Sequence, residues 1–164
     1  MFYIIIYEMR QDKILEAKTK AGNYCAYQER TQQEVRDKLY NIGLYQDEVE
    51  EVLTELITEN FINEERYAKA FASGKFRLKH WGRNKIVYTL KQKNISSYCI
   101  DQAMKEIDED EYKNEIIRQI NKKSNQLSGK EYIVKNKIAR FLITKGFETE
   151  LVWSLINEYL KIGT

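Results

Sequence analysis

Apolar residues follow a pattern that occurs three times along the chain, with intervals of 51 and 52 residues between the copies. The copies align on Leu39, Leu90 and Leu142. The first copy has apolar or turn residues at Val35, Gly43, Leu44, Val49, Val52, Leu53 and Leu56. At the same offsets the second copy has Ile86, Asn94, Ile95, Ile100, Ala103, Met104 and Ile107. The third has Ile138, Gly146, Phe147, Val152, Leu155, Ile156 and Tyr159. Three matching copies indicate three tandem repeats.

The spacing within each copy predicts two helices joined by a tight turn. Apolar residues four apart before the turn, and three or four apart after it, fall on one face of a helix. Gly43, Asn94 and Gly146 stand between the two helices, and these residue types tolerate a positive φ at a helix C-terminus. Thr31 and Glu34 are typical of a capping box that opens the first of these helices.

A further helix is predicted before each of these pairs. Segments 63–67 and 108–112 each offer an N-cap side chain, acidic residues in the first turn and a tyrosine at the fifth place. In the second repeat, Phe71 and Leu78 are predicted to continue the apolar stripe of this helix. The leading helix of the first repeat is predicted over about residues 12–30.

The fold class that follows is all-α, with three tandem three-helix repeats that form an elongated, curved helical array. Repeat 1 covers residues 12–60 and is acidic, whereas repeat 2 (61–107) and repeat 3 (108–164) are basic. Residues 1–11 lie outside this scheme, as an N-terminal extension whose role the sequence does not define. We expect the protein to be a monomer.

Composition agrees with a helical protein and excludes several other classes. The chain has 164 residues, no proline and seven glycines, and 43% of it is apolar, which excludes collagen and low-complexity disorder. The longest apolar run, residues 2–7, is far shorter than the roughly 18 residues of a membrane span. It also lacks the basic flank and cleavage site of a signal peptide. We therefore expect a cytoplasmic protein without membrane contact.

The sequence offers little support for catalytic or metal chemistry. Cys25 and Cys99 are the only cysteines and His80 is the only histidine, which is too few for a four-ligand zinc site or a Cys-His nucleophile pair. Both cysteines stand at helical apolar positions and are predicted to be core residues. No glycine-rich phosphate loop is present. The sequence therefore predicts no enzyme, no catalytic residue, no cofactor and no bound metal.

The net charge of +2 hides a strong segregation of charge along the chain. Residues 29–65 hold three bases and eleven acids, residues 66–100 hold nine bases and no acid, and residues 113–146 hold nine bases and two acids. A solvated face normally mixes both signs, so these basic stretches indicate a surface for an anion, and nucleic acids are the largest cytoplasmic anions. The alternative, that the bases merely neutralise the acidic first third, stays open at this point.

One run of residues resembles the signature of a known family. Residues 61–68 (FINEERYA), followed by Gly82 and by residues 90–95 (LKQKNI), resemble the middle repeat of the RecX regulatory proteins. Residues 36–39 and 140–147 are similar to the same family's first and third repeats.

The resemblance covers about residues 21–160. Asn60 and Asn94 stand where the family often has glycine, and His80 replaces a frequent second glycine before Gly82. The resemblance implies a non-enzymatic modulator of the bacterial RecA recombinase that binds the RecA–DNA filament along its deep groove. It also implies inhibition of strand exchange, of ATP hydrolysis and of the co-protease activity that triggers the SOS response in DNA repair. Contact with the phosphate backbone of single- or double-stranded DNA is a further implication.

Two sets of side chains are predicted to contact the filament or the DNA. The first set lies where bases alternate with aromatic residues near a glycine, a pattern suited to phosphate contact. It comprises Lys75, Arg77, Lys79, Trp81, Arg83 and Lys85, together with Tyr88 and Lys91, which are predicted on the exposed face of the helix that carries Ile86 and Leu90. The second set comprises Lys122, Lys123, Lys137 and Arg140. For Trp81, ordinary helix packing is the alternative. Replacement by alanine is predicted to weaken binding and to preserve the fold at Lys79, Arg83, Lys85 and Lys91.

A second function also fits the sequence. A stand-alone DNA-binding helical-repeat protein, acting without RecA, would use the second helix of each repeat as a recognition helix. It would bind duplex DNA well in the absence of recombinase. The sequence does not decide which repeat contacts RecA and which contacts DNA.

Overall fold

The computed structural model describes residues 2–160, and every regular element in this range is helical. The helices are α1 (Phe2–Tyr27), α2 (Gln32–Ile42), α3 (Gln46–Thr58), α4 (Glu64–Lys79), α5 (Arg83–Gln92), α6 (Ser97–Lys105), α7 (Glu109–Ser124), α8 (Glu131–Thr144) and α9 (Thr149–Tyr159). Each repeat thus contains three successive helices, which confirms the prediction of an all-α chain of three-helix repeats. Residues 1 and 161–164, which belong to the predicted extension and to the predicted repeat 3, lie outside the described residues.

A left-handed residue ends the second helix of each repeat, as predicted. Gly43, Asn94 and Gly146 have φ values of 91°, 58° and 93°. In each repeat the backbone N–H of the next residue donates to the carbonyl of the aligned leucine, with N···O distances of 3.3, 3.1 and 3.2 Å. The side chain of that next residue is buried in all three cases. This is the Schellman arrangement, in which the turn satisfies the last carbonyls and its apolar residue covers the helix end.

Side-chain caps mark the starts of α2 and α7. The Thr31 hydroxyl accepts from the Glu34 N–H at 3.1 Å, and the Glu34 carboxylate accepts from the Thr31 N–H at 3.0 Å. This pair is the predicted capping box of α2. At the start of α7, Asp108 Oδ1 accepts from the N–H groups of Asp110 and Glu111, at 3.0 and 2.8 Å.

The chain divides into two compact units, residues 1–67 and residues 68–164, with the division inside α4. The repeat boundaries given above remain predictions. In the first unit α1 packs against both α2 and α3. The aligned apolar residues of repeat 1 form its core together with Ala17, Ala21 and Cys25. Cys25 is buried, as is Cys99 in the second unit, which confirms both as core residues.

Helix α1 begins at Phe2, so the expected start near residue 12 was too late. The side chains of residues 3–13 are exposed, and burial against α2 and α3 begins only at Ile14 and Ala17. The apolar stripe therefore starts later than the helix itself. Neither glycine nor proline interrupts the chain before Gly22, so the helix can extend beyond its buried segment.

The core of the second unit brings together aromatic rings from α4, from α7 and from the turn between α8 and α9. The ring centroid of Tyr112 lies 5.6 Å from that of Phe76 and 5.4 Å from that of Phe147. All three side chains are buried. The aligned apolar residues of repeats 2 and 3 are buried with them, except that Met104 is partly buried and Tyr159 is 48% exposed.

The predicted apolar stripe of α4 was wrong at Leu78, which is 76% exposed. The buried face instead continues in steps of four residues through Ala68, Ala72 and Phe76. Two alanines carry too weak an apolar signal to mark a stripe in the sequence, although they allow close helix packing.

Candidate nucleic-acid interface

The end of α4 presents Trp81 to the basic surface of the second unit. His80 adopts a positive φ of 55° immediately after the helix. Its N–H donates to the Phe76 carbonyl at 3.0 Å, and the Trp81 N–H donates to the Lys75 carbonyl at 3.1 Å. These bonds close a left-handed C-cap, which turns the chain sharply and leaves the Trp81 ring half-buried.

Repeats 2 and 3 meet at two glycines, with backbone against backbone. The Gly82 N–H donates to the Lys145 carbonyl at 2.9 Å, and the Asn84 N–H donates to the Gly146 carbonyl at 3.0 Å. A Cβ atom on Gly82 would lie 2.2 Å from backbone atoms of Gly146, and one on Gly146 would lie 2.3 Å from the Cβ of Lys85. We call this contact the glycine joint. It brings Lys85 and Lys145 together from different repeats.

Two aromatic rings near the glycine joint each hold a pair of lysines. The Trp81 ring centroid lies 4.4 Å from Lys85 Nζ and 5.2 Å from Lys75 Nζ. The Phe141 ring centroid lies 4.7 Å from the Nζ of Lys123 and 5.2 Å from that of Lys145. A ring face attracts an ammonium group but does not cancel its charge. The four lysines are therefore held in place while their positive potential remains available to an anion.

Lys145 has a lowered pKa, and it was absent from the predicted set. Partial burial lowers the pKa of its ammonium group, the charges of Lys122, Lys85 and Lys123 lower it further, and Glu115 opposes the shift. Its position within an aligned turn, directly before Gly146, suggested a structural role only. Two of the three turns carry a lysine directly before the left-handed residue, Lys93 before Asn94 and Lys145 before Gly146, so this pattern alone does not single out Lys145.

The guanidinium of Arg83, in contrast, forms its contacts within the protein. Its guanidinium lies 4.1 Å from the Tyr112 ring centroid and pairs with Glu109 at 2.7 Å. It also donates to the Ile107 carbonyl at 3.3 Å, and its side chain is only 19% exposed. The prediction that the fold tolerates alanine at this position therefore needs revision, because the replacement removes contacts within the core.

The predicted cations differ in whether they have an acidic partner. Arg77 pairs with Glu111 at 3.3 Å on an exposed surface. Among the described residues, no ion pair forms at the remaining eight: Lys75, Lys79, Lys85, Lys91, Lys122, Lys123, Lys137 and Arg140. Lys137, Arg140 and Phe141 line one shallow groove along α8. Lys79, Tyr88 and Lys91 are exposed.

A buried carboxylate supports the turn at His80. Glu115 is 9% exposed and pairs with His80 Nδ1 at 2.9 Å and with the Arg118 guanidinium. Gln119 Nε2 donates to the same carboxylate at 2.7 Å. The sequence did not indicate this cluster, because three of its members lie on α7 whereas His80 lies in the turn after α4, 35 residues before Glu115. It fixes the C-terminal end of α4, from which Trp81 projects.

We expect Arg83→Ala to lower the free energy of unfolding by about 2 kcal/mol, since it removes a largely buried cation with several partners. Arg77→Ala is the matched control, because its pair with Glu111 is exposed and exposed pairs are worth about 0–1 kcal/mol. Urea titration followed by circular dichroism measures both. Equal destabilisation by the two variants would contradict the structural role of Arg83.

Three family models match this chain, and together they span all three repeats. The first, second and third three-helix domains of RecX match residues 17–56, 63–104 and 109–156, respectively. A regulatory protein RecX from Clostridium perfringens is 30% identical over 161 residues, which cover 93% of this chain and 75% of that protein. The chain belongs to the RecX family. A RecX regulatory protein from Clostridium tetani is 32% identical over 153 residues, with 92% and 70% coverage.

Solved structures agree with membership of the RecX family. The crystal structure of RecX from Lactobacillus salivarius superposes with a TM-score of 0.82 at 27% identity, covering 91% of this chain and 97% of that one. A second crystal structure of a regulatory protein RecX gives a TM-score of 0.78 at 23% identity and supports the fold.

The departures from RecX family glycines keep the backbone that glycine would favour. Asn60, His80 and Asn94 have φ values of 61°, 55° and 58°. In residues 2–160, none of the helices combines the length and apolar character needed to cross a membrane. The same part of the chain contains no group of three His, Cys, Asp or Glu side chains that could hold a metal ion.

Proposed function

We propose that this RecX-family chain is a non-enzymatic regulator that binds the RecA–DNA filament and restrains its strand exchange, ATP hydrolysis and co-protease activity. In this role it acts as a cytoplasmic monomer in DNA repair and in the SOS response. The observation that carries the proposal is the presence of all three RecX domains, in order, in one chain. Membership of a family of regulatory proteins supports a role exerted through binding.

The pattern of ion pairs supports different binding partners for the two compact units. In the first unit, Arg10, Lys18, Arg36 and Arg66 all form ion pairs with glutamates. Because acids outnumber bases there, the surplus charge of repeat 1 is negative. In the second unit, most of the predicted contact lysines have no acidic partner. Repeat 1 therefore suits basic elements of a protein partner, and repeats 2 and 3 suit phosphates.

A stand-alone DNA-binding protein is the second candidate. The pairs of lysines on Trp81 and Phe141 favour it, because they offer positive charge to a phosphate backbone without any recombinase. It differs from the first candidate in predicting no effect on RecA beyond competition for DNA. Saturating DNA separates the two candidates, since competition then disappears.

The test is the ATPase rate of RecA on saturating single-stranded DNA, measured with increasing amounts of this protein. We expect the rate to fall severalfold at saturation, and the protein alone to hydrolyse no ATP, since its sequence contains no phosphate-binding loop. Adding more DNA should not restore the rate. An unchanged rate at saturating protein would remove the regulatory proposal, and a rate fully restored by added DNA would favour the second candidate.

A further inference from the structure

Four lysines from three separate parts of the sequence lie around the glycine joint. Lys85 lies in the first turn of α5, Lys122 and Lys123 lie in the last turn of α7, and Lys145 follows α8. We call them the joint lysines: Lys85, Lys122, Lys123 and Lys145. Lys85 packs against Gly146, next to Lys145, and Lys145 shares the Phe141 ring with Lys123.

The joint lysines remain uncompensated within the described residues. None of them forms an ion pair there, and the only side-chain acceptor is the Gln126 amide, 3.5 Å from Lys123 Nζ. The charge of Glu115 acts on Lys145, but the Glu115 carboxylate is engaged by Arg118 and His80. Like charges gathered around a partly buried ammonium group oppose folding unless an anion offsets them. Burial lowers the pKa of Lys145, and the charges of Lys122, Lys85 and Lys123 lower it further.

We propose that the joint lysines form one site that binds successive phosphodiester groups of a nucleic-acid strand. This inference rests on the part of the proposed function that brings the chain into contact with DNA, and it adds Lys145 as the central residue. The two repeats contribute to the site together, because the backbone hydrogen bonds of Gly82 and Asn84 fix its two halves.

Further bases on either side of the site favour a polymer over a small anion. Lys75 shares the Trp81 ring with Lys85 on one side. Lys137 and Arg140 line the groove along α8, which includes Phe141, on the other side. These separate point charges suit the regularly spaced phosphates of a strand. A compact anion such as inorganic phosphate reaches only part of such a track.

The site is tested by titrating a labelled oligothymidylate with the full chain, without RecA, at several salt concentrations. The double variant Lys85→Gln and Lys145→Gln is compared with Lys105→Gln and Lys113→Gln, two exposed lysines of the same unit that lie outside the site. Both variants change the net charge equally. If each phosphate contact contributes about 0.7 to the salt slope, the first variant loses about 1.4 in slope and roughly 25-fold in affinity at 0.1 M salt. The control should keep the wild-type slope.

Protection from acetylation tests the same site on the unaltered protein, so it does not depend on how the variants fold. Mass spectrometry should show that bound oligothymidylate lowers the acetylation rate of the joint lysines at least severalfold, while Lys105 and Lys113 are acetylated at an unchanged rate. An unchanged salt slope in the first variant, or unprotected joint lysines, would overturn the proposal. Equal protection by polyglutamate of the same charge would also overturn it, in favour of an acidic protein partner. Because RecA is absent from both measurements, failure of the regulatory proposal leaves these outcomes unaffected.

Discussion

Gly82→Ala should lower the free energy of unfolding by about 3 kcal/mol or more, because the new methyl group has no space. Gly82 has an ordinary φ of −77°, so the backbone conformation itself accepts alanine. The added Cβ, however, would lie 2.2 Å from backbone atoms of Gly146 and Phe147. Backbone cannot move aside as a flexible side chain can, so the joint must separate. The hydrogen bond from the Gly82 N–H to the Lys145 carbonyl is then lost as well.

Gly74→Ala is the matched control for this substitution. Gly74 lies within α4, and a Cβ at this position meets no atom within 4 Å. Alanine should therefore stabilise the helix by about 0.5–1 kcal/mol. In thermal melts the two variants should move in opposite directions, with Gly82→Ala melting roughly 6–12 °C below the wild type. A melting temperature of Gly82→Ala equal to that of the wild type would contradict the close backbone contact between repeats 2 and 3.

Tyr112→Phe should cost about 1–3 kcal/mol of unfolding free energy, the second largest stability effect that we expect. The buried hydroxyl donates to Glu148 Oε2 at 2.5 Å and accepts from the Arg83 N–H at 2.9 Å. Phenylalanine keeps the ring contacts but leaves the Arg83 N–H without this acceptor. Tyr132→Phe is the control, since Tyr132 is 63% exposed, and it should change stability by less than about 0.5 kcal/mol.

The same hydroxyl predicts a pH dependence on the alkaline side. Burial, followed by the hydrogen bond to Glu148, raises the pKa of Tyr112 well above the ordinary value of 10.0. Above pH 10 the unfolded chain releases this proton while the folded chain retains it. Stability should therefore be complete below pH 10 and fall above it, by up to about 1.4 kcal/mol per pH unit from this group. In urea titrations at several pH values above 10, Tyr112→Phe should lose less unfolding free energy per pH unit than the wild type. Equal losses in the two proteins would contradict the raised pKa of Tyr112.

The sequence was sufficient to predict the repeats, because their signals are local. Helical stripes and positive-φ residues depend on neighbours within a few positions, and the three copies reinforce one another. The turns at Gly43, Asn94 and Gly146 therefore lie where the pattern placed them. The start of α1 could not be predicted in this way, since its first residues have no buried face to produce a stripe.

The candidate interface was only partly predictable, because it depends on contacts between repeats. Composition identified the basic segments but treated all cations there alike. The fold separates them: Arg83 is bound to Glu109 and the Tyr112 ring, whereas Lys85 stays without an acid. Lys145 joins the surface only through the glycine joint, which pairs Gly82 with a residue 64 positions away. No local pattern encodes that pairing.

The central claim is that the RecA–DNA filament, and not DNA alone, is the target of this protein. The most direct measurement is the affinity of the labelled chain for single-stranded DNA, for duplex DNA and for RecA filaments assembled on the same DNA, at one salt concentration near 0.15 M. Screening is strong at this salt, so a contact made through phosphates alone is weakened. We predict that the filament binds at least tenfold more tightly than either naked DNA. Equal affinity for filament and naked DNA would contradict the regulatory account and leave a stand-alone DNA-binding protein.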